Sequence, residues 1–202
     1  MKVVKEKKNQ EVEIVFILDR SGSMGGLEND TIGGYNSFIK SKKDLNAKLT
    51  TVLFDNQIEV LHDRVDIKKV SKLTSKDYYV RGCTALMDAI GFTINKITPV
   101  AKDKKVIFVI TTDGLENASK EYTKAKIKKM IEKRKDWEFL YLVANIDSYG
   151  EADSIGIRKE RVSNYSASAK GTRKMFATLE CAVGSIANGE ELADNWNEEL
   201  EN

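Results

Sequence analysis

The sequence contains very little proline, histidine or cysteine, and each shortage argues against a class of protein. Pro99 is the only proline, which argues against long proline-rich linkers. His62 is the only histidine, and no ligand motif surrounds it, so we interpret it as structural. Cys83 and Cys181 lie in unrelated segments, which is not the pattern of a disulfide framework. We therefore expect two reduced thiols in a cytoplasmic protein.

The chain also lacks long apolar runs and a strong charge of one sign. No segment approaches the roughly 20 apolar residues that a membrane helix needs. Residues 1–10 are lysine-rich and lack the apolar core of a secretory signal. Lys and Arg number 33 and Asp and Glu 31, which gives a net charge of +2. A balance this close to neutral gives no general attraction to nucleic acids or membranes, so we expect neither as a partner.

The sequence does contain an alternation of apolar strands and amphipathic helices. Such an alternation predicts a doubly wound, Rossmann-like α/β fold, with a mostly parallel central sheet and helices on both faces. A hairpin at Asp55 and Asn56 adds one antiparallel strand, most simply at an edge. The predicted strands cover residues 13–18, 49–54, 57–62, 106–110, 138–144 and 162–165, and the predicted helices cover residues 27–42, 84–97, 120–135 and 168–188.

The chain divides into one domain with a short segment at each end. Residues 1–10 form a basic N-terminal extension, residues 11–188 the domain, and residues 189–202 an acidic C-terminal tail. Leu192, Trp196 and Leu200 recur every four residues in the tail, as one stripe of a helix would. Two interpretations remain open, because this stripe could pack on its own domain or could dock a partner.

Five oxygen-bearing side chains in three separated segments form the most specific pattern. Asp19, Ser21 and Ser23 follow the first strand in D-R-S-G-S, Thr84 lies in G-C-T-A-L, and Asp113 lies in T-T-D-G-L. Ligands of open α/β sheets bind beyond the carboxyl ends of the strands, where both Asp residues stand. Hard cations prefer oxygen ligands, so the pattern predicts a site for Mg²⁺, Mn²⁺ or Ca²⁺. For the first segment alone, the alternative is a turn capped by Asp and Ser.

In this order and setting, the three motifs resemble the metal-ion-dependent adhesion site of von Willebrand factor A domains, over about residues 12–188. The chain is more similar to the small bacterial or phage intracellular members than to the adhesive ones. The resemblance implies that Ser21, Ser23 and Thr84 bind the ion directly or nearly so, and that Asp19 and Asp113 act through coordinated water. It also implies one open coordination position for an Asp or Glu of a partner protein.

The loops around that open position are predicted to contact the partner, through Arg20, Met24, Gly114 and Glu116. The expected function is therefore a metal-dependent protein-binding module and not an enzyme.

Two other classes of function remain as alternatives. One is a metal-dependent hydrolase or phosphotransferase that uses Asp19 or a metal-bound water. Phosphotransferases of this kind often carry a second Asp two residues after the nucleophile, where this chain has Ser21. The motif also contains no His, Lys or Glu to move protons at neutral pH. The other class is a nucleotide-binding domain, but the glycines after Asp19 form neither G-x-G-x-x-G nor a P-loop.

Overall fold

A computed structural model describes residues 10–144 and 148–201, which form a six-stranded sheet flanked by helices on both faces. The strand order is β3-β2-β1-β4-β5-β6, and every pair is parallel except β2 with β3, which is antiparallel at one edge. This confirms the predicted fold class. The strands are β1 (Val12–Asp19), β2 (Ala47–Phe54), β3 (Ile58–Asp66), β4 (Lys105–Thr112), β5 (Glu138–Ala144) and β6 (Val162–Tyr165); the helices are α1 (Glu28–Ser41), α2 (Leu86–Ile97), α3 (Lys124–Glu132), α4 (Ser148–Ser154), α5 (Ala169–Ala187) and α6 (Glu198–Glu201).

The central strand β1 is buried along its whole length because helices cover both of its faces. Successive side chains of a strand point to opposite faces. Phe16 therefore packs with α1 and α5 in one apolar cluster, while Ile17 packs with α2 and α3 in the other. A continuous apolar run is the sequence pattern that such a two-sided environment requires.

Helices α1 and α5 lie side by side on one face, and a glycine permits their close approach. A Cβ atom added to Gly34 would lie 2.1 Å from Cδ2 of Phe176, well inside van der Waals contact. The two helices can therefore pack closely on the same face of the sheet, where their apolar residues share one cluster.

Helix α3 begins at Lys124, although the sequence predicts a helix from residue 120. The carboxylate of Asp88 on α2 accepts hydrogen bonds from the backbone N–H groups of residues 120–122. These groups are thereby held in a loop, and Thr123 then caps the helix by accepting a hydrogen bond from the N–H of Lys126. A side chain distant in sequence therefore decides where this helix begins.

The C-terminal tail packs on its own domain. Leu192 is buried in the cluster beneath α5, and Trp196 and Leu200 pack against that cluster. The indole Nε1 of Trp196 donates a hydrogen bond to the backbone oxygen of Glu160, at 2.9 Å. Among the described residues of the tail, only Glu198–Glu201 is helical. The apolar stripe is therefore not one helix: Leu192 lies in an irregular segment, Trp196 in a turn and Leu200 in α6. The predicted basic extension lies outside the described residues, apart from Gln10.

Truncation after Asn188 is expected to lower the free energy of unfolding by about 2–4 kcal/mol, because it uncovers apolar surface of the α5 cluster. Thermal or urea unfolding of the truncated chain measures the loss. An unchanged free energy of unfolding would mean that the tail contributes little to the stability of the domain, and would favour the interpretation that it docks a partner.

Three further features bear on the expectations from the sequence. No helix in the described ranges is long and apolar enough to cross a bilayer. Cys83 and Cys181 are both exposed and unpaired. His62 is buried on β3, with Nδ1 3.2 Å from the hydroxyl of Tyr35, which is a structural environment.

Candidate metal centre

The candidate site lies where the chain order of the sheet reverses. Strand β1 lies between β2, the next strand in the chain, and β4. Because β1 and β4 are parallel, their carboxyl ends are neighbours. Asp19 is the last residue of β1, and Asp113 directly follows β4. The parallel pairing therefore brings the two predicted carboxylates to the same end of the sheet, which is the usual ligand position in this class of fold.

The Asp19 carboxylate is fully buried and is held by two donors. Its Oδ1 accepts a hydrogen bond of 2.7 Å from the N–H of Ser21, and its Oδ2 accepts one from the hydroxyl of Thr112. Burial raises the pKa of this carboxyl to about 6, although the bonds from Thr112 and Ser21 lower it. A cation nearby would favour the ionised form, because an opposite charge offsets the loss of hydration.

Ser21, Ser23 and Asp113 form a chain of oxygen atoms beside Asp19. The hydroxyl oxygens of Ser21 and Ser23 are 3.1 Å apart, and the Ser23 hydroxyl donates to Oδ1 of Asp113 at 2.5 Å. Burial raises the pKa of the Asp113 carboxyl above its ordinary value, and the Ser23 bond works against this shift. This bond and the one from Thr112 to Asp19 join two segments that are distant in sequence.

Thr84 reaches the same point from the loop before α2. A Cβ atom added to Gly114 would lie 3.0 Å from Oγ of Ser23, 3.0 Å from Oγ1 of Thr84 and 3.9 Å from Oγ of Ser21. The three hydroxyls therefore surround one small space beside the Cα of Gly114. The structure brings all five predicted ligands to one end of the sheet, as the sequence pattern predicts.

The donor set fits a hard dication. The oxygens available are two carboxylates and three hydroxyls, and Mg²⁺ and Mn²⁺ prefer such ligands. No group of three or more His, Cys, Asp or Glu side chains that could hold a metal occurs in the part of the chain that the structure describes. The five candidate ligands include neither Cys nor His, the side chains that zinc sites commonly use.

The loop after β4 is tied firmly to the start of α2, a feature that the sequence pattern missed. Asn117 accepts a hydrogen bond from the N–H of Thr84 at 2.9 Å and donates its own N–H to the Thr84 oxygen at 3.0 Å. The Glu116 carboxylate accepts bonds from the N–H groups of Met87, Ala118 and Ser119 and from the Ser119 hydroxyl. These bonds fix Thr84 relative to Asp113.

Three of the predicted partner contacts need correction. Arg20 is fully buried and pairs with Asp55, with 3.1 Å between Nε and Oδ2. Met24 is also buried, and the Glu116 carboxylate turns inward to the bonds just described. The loop instead exposes a large apolar side chain, that of Leu115, which is 55% exposed beside Gly114. Its signal in the sequence is a large aliphatic residue in a mostly polar loop.

Sequence comparisons give no relative, because no family model and no curated protein sequence matches the chain. Solved structures do match. The manganese-loaded TRAP protein of Plasmodium vivax aligns with a TM-score of 0.60 at 20% identity, over 79% of this chain and 70% of that one. A von Willebrand factor type A protein from Catenulispora acidiphila aligns with a TM-score of 0.64 at 15% identity, over 91% and 44% of the two chains.

A third match is the vWF domain of the pilus tip protein Mfa5 from Porphyromonas gingivalis. Its TM-score is 0.67 at 10% identity, and the alignment covers 92% of this chain and 99% of that one. This chain spans less than half of several other matched chains, for example 45% of proximal thread matrix protein 1 from the mussel byssus. At these identities the likeness concerns the fold, and the chain has the fold of a von Willebrand factor A domain.

Proposed function

We propose that this domain is a protein-interaction module that holds one divalent cation, Mg²⁺ or alternatively Mn²⁺ or Ca²⁺, and uses it to capture an acidic side chain of a partner protein. The observation that carries the proposal is the convergence of the Ser21, Ser23 and Thr84 hydroxyls on the space beside Gly114. The Asp113 carboxylate accepts a hydrogen bond from one of these hydroxyls, that of Ser23, and the Asp19 carboxylate accepts one from the backbone N–H of Ser21. Support also comes from the matched structures, one of which is manganese-loaded.

The charges around the ion favour an acidic ligand. Asp19 and Asp113 bring about two negative charges to a dication, and the remaining donors are neutral hydroxyls. Both carboxylates are already engaged by hydrogen bonds, Asp19 with Thr112 and Asp113 with Ser23. An ion held partly through water or through such engaged carboxylates keeps enough Lewis acidity to attract a third carboxylate. That contact is partly shielded from solvent, so it contributes more than an exposed ion pair.

We favour binding over catalysis because the site offers few groups for proton transfer. Glu116 is the nearest glutamate in the loop, and three N–H groups and one hydroxyl already engage its carboxylate. A hydrolase or phosphotransferase would need Asp19 or Asp113 as its base, and both face the proposed ion. We also place the chain in the cytoplasm of a bacterial or phage host, since free, exposed cysteines fit a reducing compartment.

Selection of displayed random peptides in Mg²⁺, with elution by EDTA, tests the proposal and needs no identified partner. We expect the enriched peptides to share an Asp or Glu, and replacement of that residue by its amide to abolish binding. Enriched peptides that lack an acid, or a selection in which EDTA releases no more peptide than buffer alone, would contradict the proposal.

The exposed Leu115 is expected to contribute to the contact with the partner. Leu115→Ala should weaken the binding of a selected peptide roughly 5- to 30-fold, equivalent to about 1–2 kcal/mol of lost apolar contact. Isothermal titration measures the change. Phe92→Ala is the matched control, because Phe92 is 38% exposed in the middle of α2. An equal loss from both variants would mean that Leu115 has no specific part in recognition.

A further inference from the structure

We propose that Asp55 is a positioning residue that holds loop 20–23 against loop 79–85 through Arg20 and Arg81. This role rests on the proposed function, since the two loops supply Ser21, Ser23 and Thr84 to the same ion. Asp55 was not among the predicted site residues. Its one signal in the sequence is that β2, like β1, leads into an Asp at its carboxyl end.

Asp55 is fully buried, and its carboxylate is shared by two arginines. Oδ2 is 3.1 Å from Nε of Arg20 and 2.6 Å from Nε of Arg81, and Oδ1 accepts a hydrogen bond of 2.6 Å from the N–H of Gln57. The backbone oxygen of Asp55 accepts a further bond of 2.9 Å from the N–H of Ala85. One residue at the end of β2 thus contacts both metal loops through its side chain and its backbone.

The backbone of the two loops is joined at the same place. Arg81 donates its N–H to the oxygen of Arg20 at 2.9 Å, and Gly22 donates its N–H to the oxygen of Gly82 at 3.1 Å. Gly82 has a φ of +67°, and a Cβ atom there would lie 2.0 Å from Oδ1 of Asn56. Any other residue would be strained at this φ and would displace the Asn56 side chain, so glycine favours the close contact between the loops.

The charge of Asp55 matters as well as its shape. Arg20 is fully buried, and its other acidic partner, Glu59, has a side chain that is 48% exposed, with Oε2 2.8 Å from Nη1. Asp55 is the one fully buried countercharge that the described residues offer to this guanidinium. Without it, an arginine between Asp19 and Ser21 would repel an incoming dication and would lack the acceptor that fixes its side chain. Both effects lower the affinity for the ion.

Asp55→Asn tests this role, because it keeps the size of the side chain and removes its charge. Glu13→Gln is the matched control: the Glu13 side chain is 1% exposed near the other end of β1, where it pairs with Arg64 and Lys104. Two quantities are measured for each variant: the Kd of Mn²⁺ by titration calorimetry, and the amide hydrogen exchange of Gly22 and Arg81 in EDTA. We expect Asp55→Asn to weaken Mn²⁺ binding at least tenfold and to speed exchange at both amides.

Glu13→Gln should lower the unfolding midpoint without changing either quantity. If the wild type binds Mn²⁺ and Asp55→Asn binds it equally well, the positioning role is wrong and the proposed function stands. If the wild type does not bind Mn²⁺, the proposed function fails. Unchanged amide exchange of Asp55→Asn in EDTA would separately overturn the positioning role of Asp55. Should Asp55→Asn fail to fold, Arg81→Gln replaces it, since that side chain is partly exposed; an unchanged Kd then overturns the role.

Discussion

Saturating Mg²⁺ or Mn²⁺ is expected to raise the unfolding midpoint of this protein by roughly 5–10 °C. An ion that binds only the folded state adds about 2.7 kcal/mol when present at 100 times its Kd. For a chain of this size, each kcal/mol shifts the midpoint by about 2–4 °C. The folded pKa of Asp19, about 6, exceeds its ordinary value of 3.8, so the ionised carboxylate destabilises the metal-free fold at neutral pH. The ion removes that penalty.

Thermal melts in EDTA, in Mg²⁺ and in Mn²⁺ measure this shift. Asp113→Ala should lose it, since one of the two carboxylates beside the hydroxyls is removed. Asp63→Ala should keep it in full, because the Asp63 side chain is 59% exposed on β3 and pairs with Lys96, away from the proposed ligands. A wild-type midpoint that saturating metal leaves unmoved, or a full response in Asp113→Ala, would mean that the five residues do not form a metal site.

The second large effect is expected in partner binding. The Kd of a selected acidic peptide should rise more than about 30-fold, equivalent to about 2 kcal/mol, when EDTA removes the ion. Thr84→Ala should cause a loss of the same size, because it deletes one of the three hydroxyls around the space beside Gly114. Replacement of the Asp or Glu of the peptide by its amide should cause a similar loss, because a neutral oxygen is a much weaker ligand of a dication.

Thr93→Ala is the control for Thr84→Ala. Thr93 is also a buried threonine, and its hydroxyl donates to the backbone oxygen of Ala89 within α2. Peptide binding by calorimetry should be unchanged in this variant. Binding that persists in EDTA and in Thr84→Ala would show that the partner surface lies elsewhere and that any metal is structural.

Features that depend on short-range periodicity could be predicted from the sequence. The apolar run of β1 predicts a strand buried on both faces, and the recurrence of apolar residues in α5 predicts a long helix against the sheet. The Asp55 and Asn56 pair predicts the hairpin that places β3 at the edge. The five oxygen donors could be predicted because they lie in short motifs at the end of a strand or just before a helix.

Features that depend on contacts between distant segments could not be predicted. Helix α3 begins four residues later than its pattern suggests, because Asp88 engages the backbone before it. Helix α4 was not predicted, since its polar sequence carries little apolar periodicity. The tail stripe fits a helix in sequence, but in the fold only Leu200 of its three residues is helical, and all three pack with the α5 cluster.

The sequence by itself determined the order of the six strands and of the helices α1, α2, α3 and α5, the two Asp residues at strand ends, and the hydroxyls near them. These properties follow from periodicity and from residue chemistry, which are local. Only the tertiary structure decided which way the loop side chains point: Arg20 turns inward to Asp55, while Leu115 is left in solvent. The physical reason is that a buried guanidinium requires a buried countercharge, and that countercharge comes from the neighbouring strand, 35 residues away in sequence.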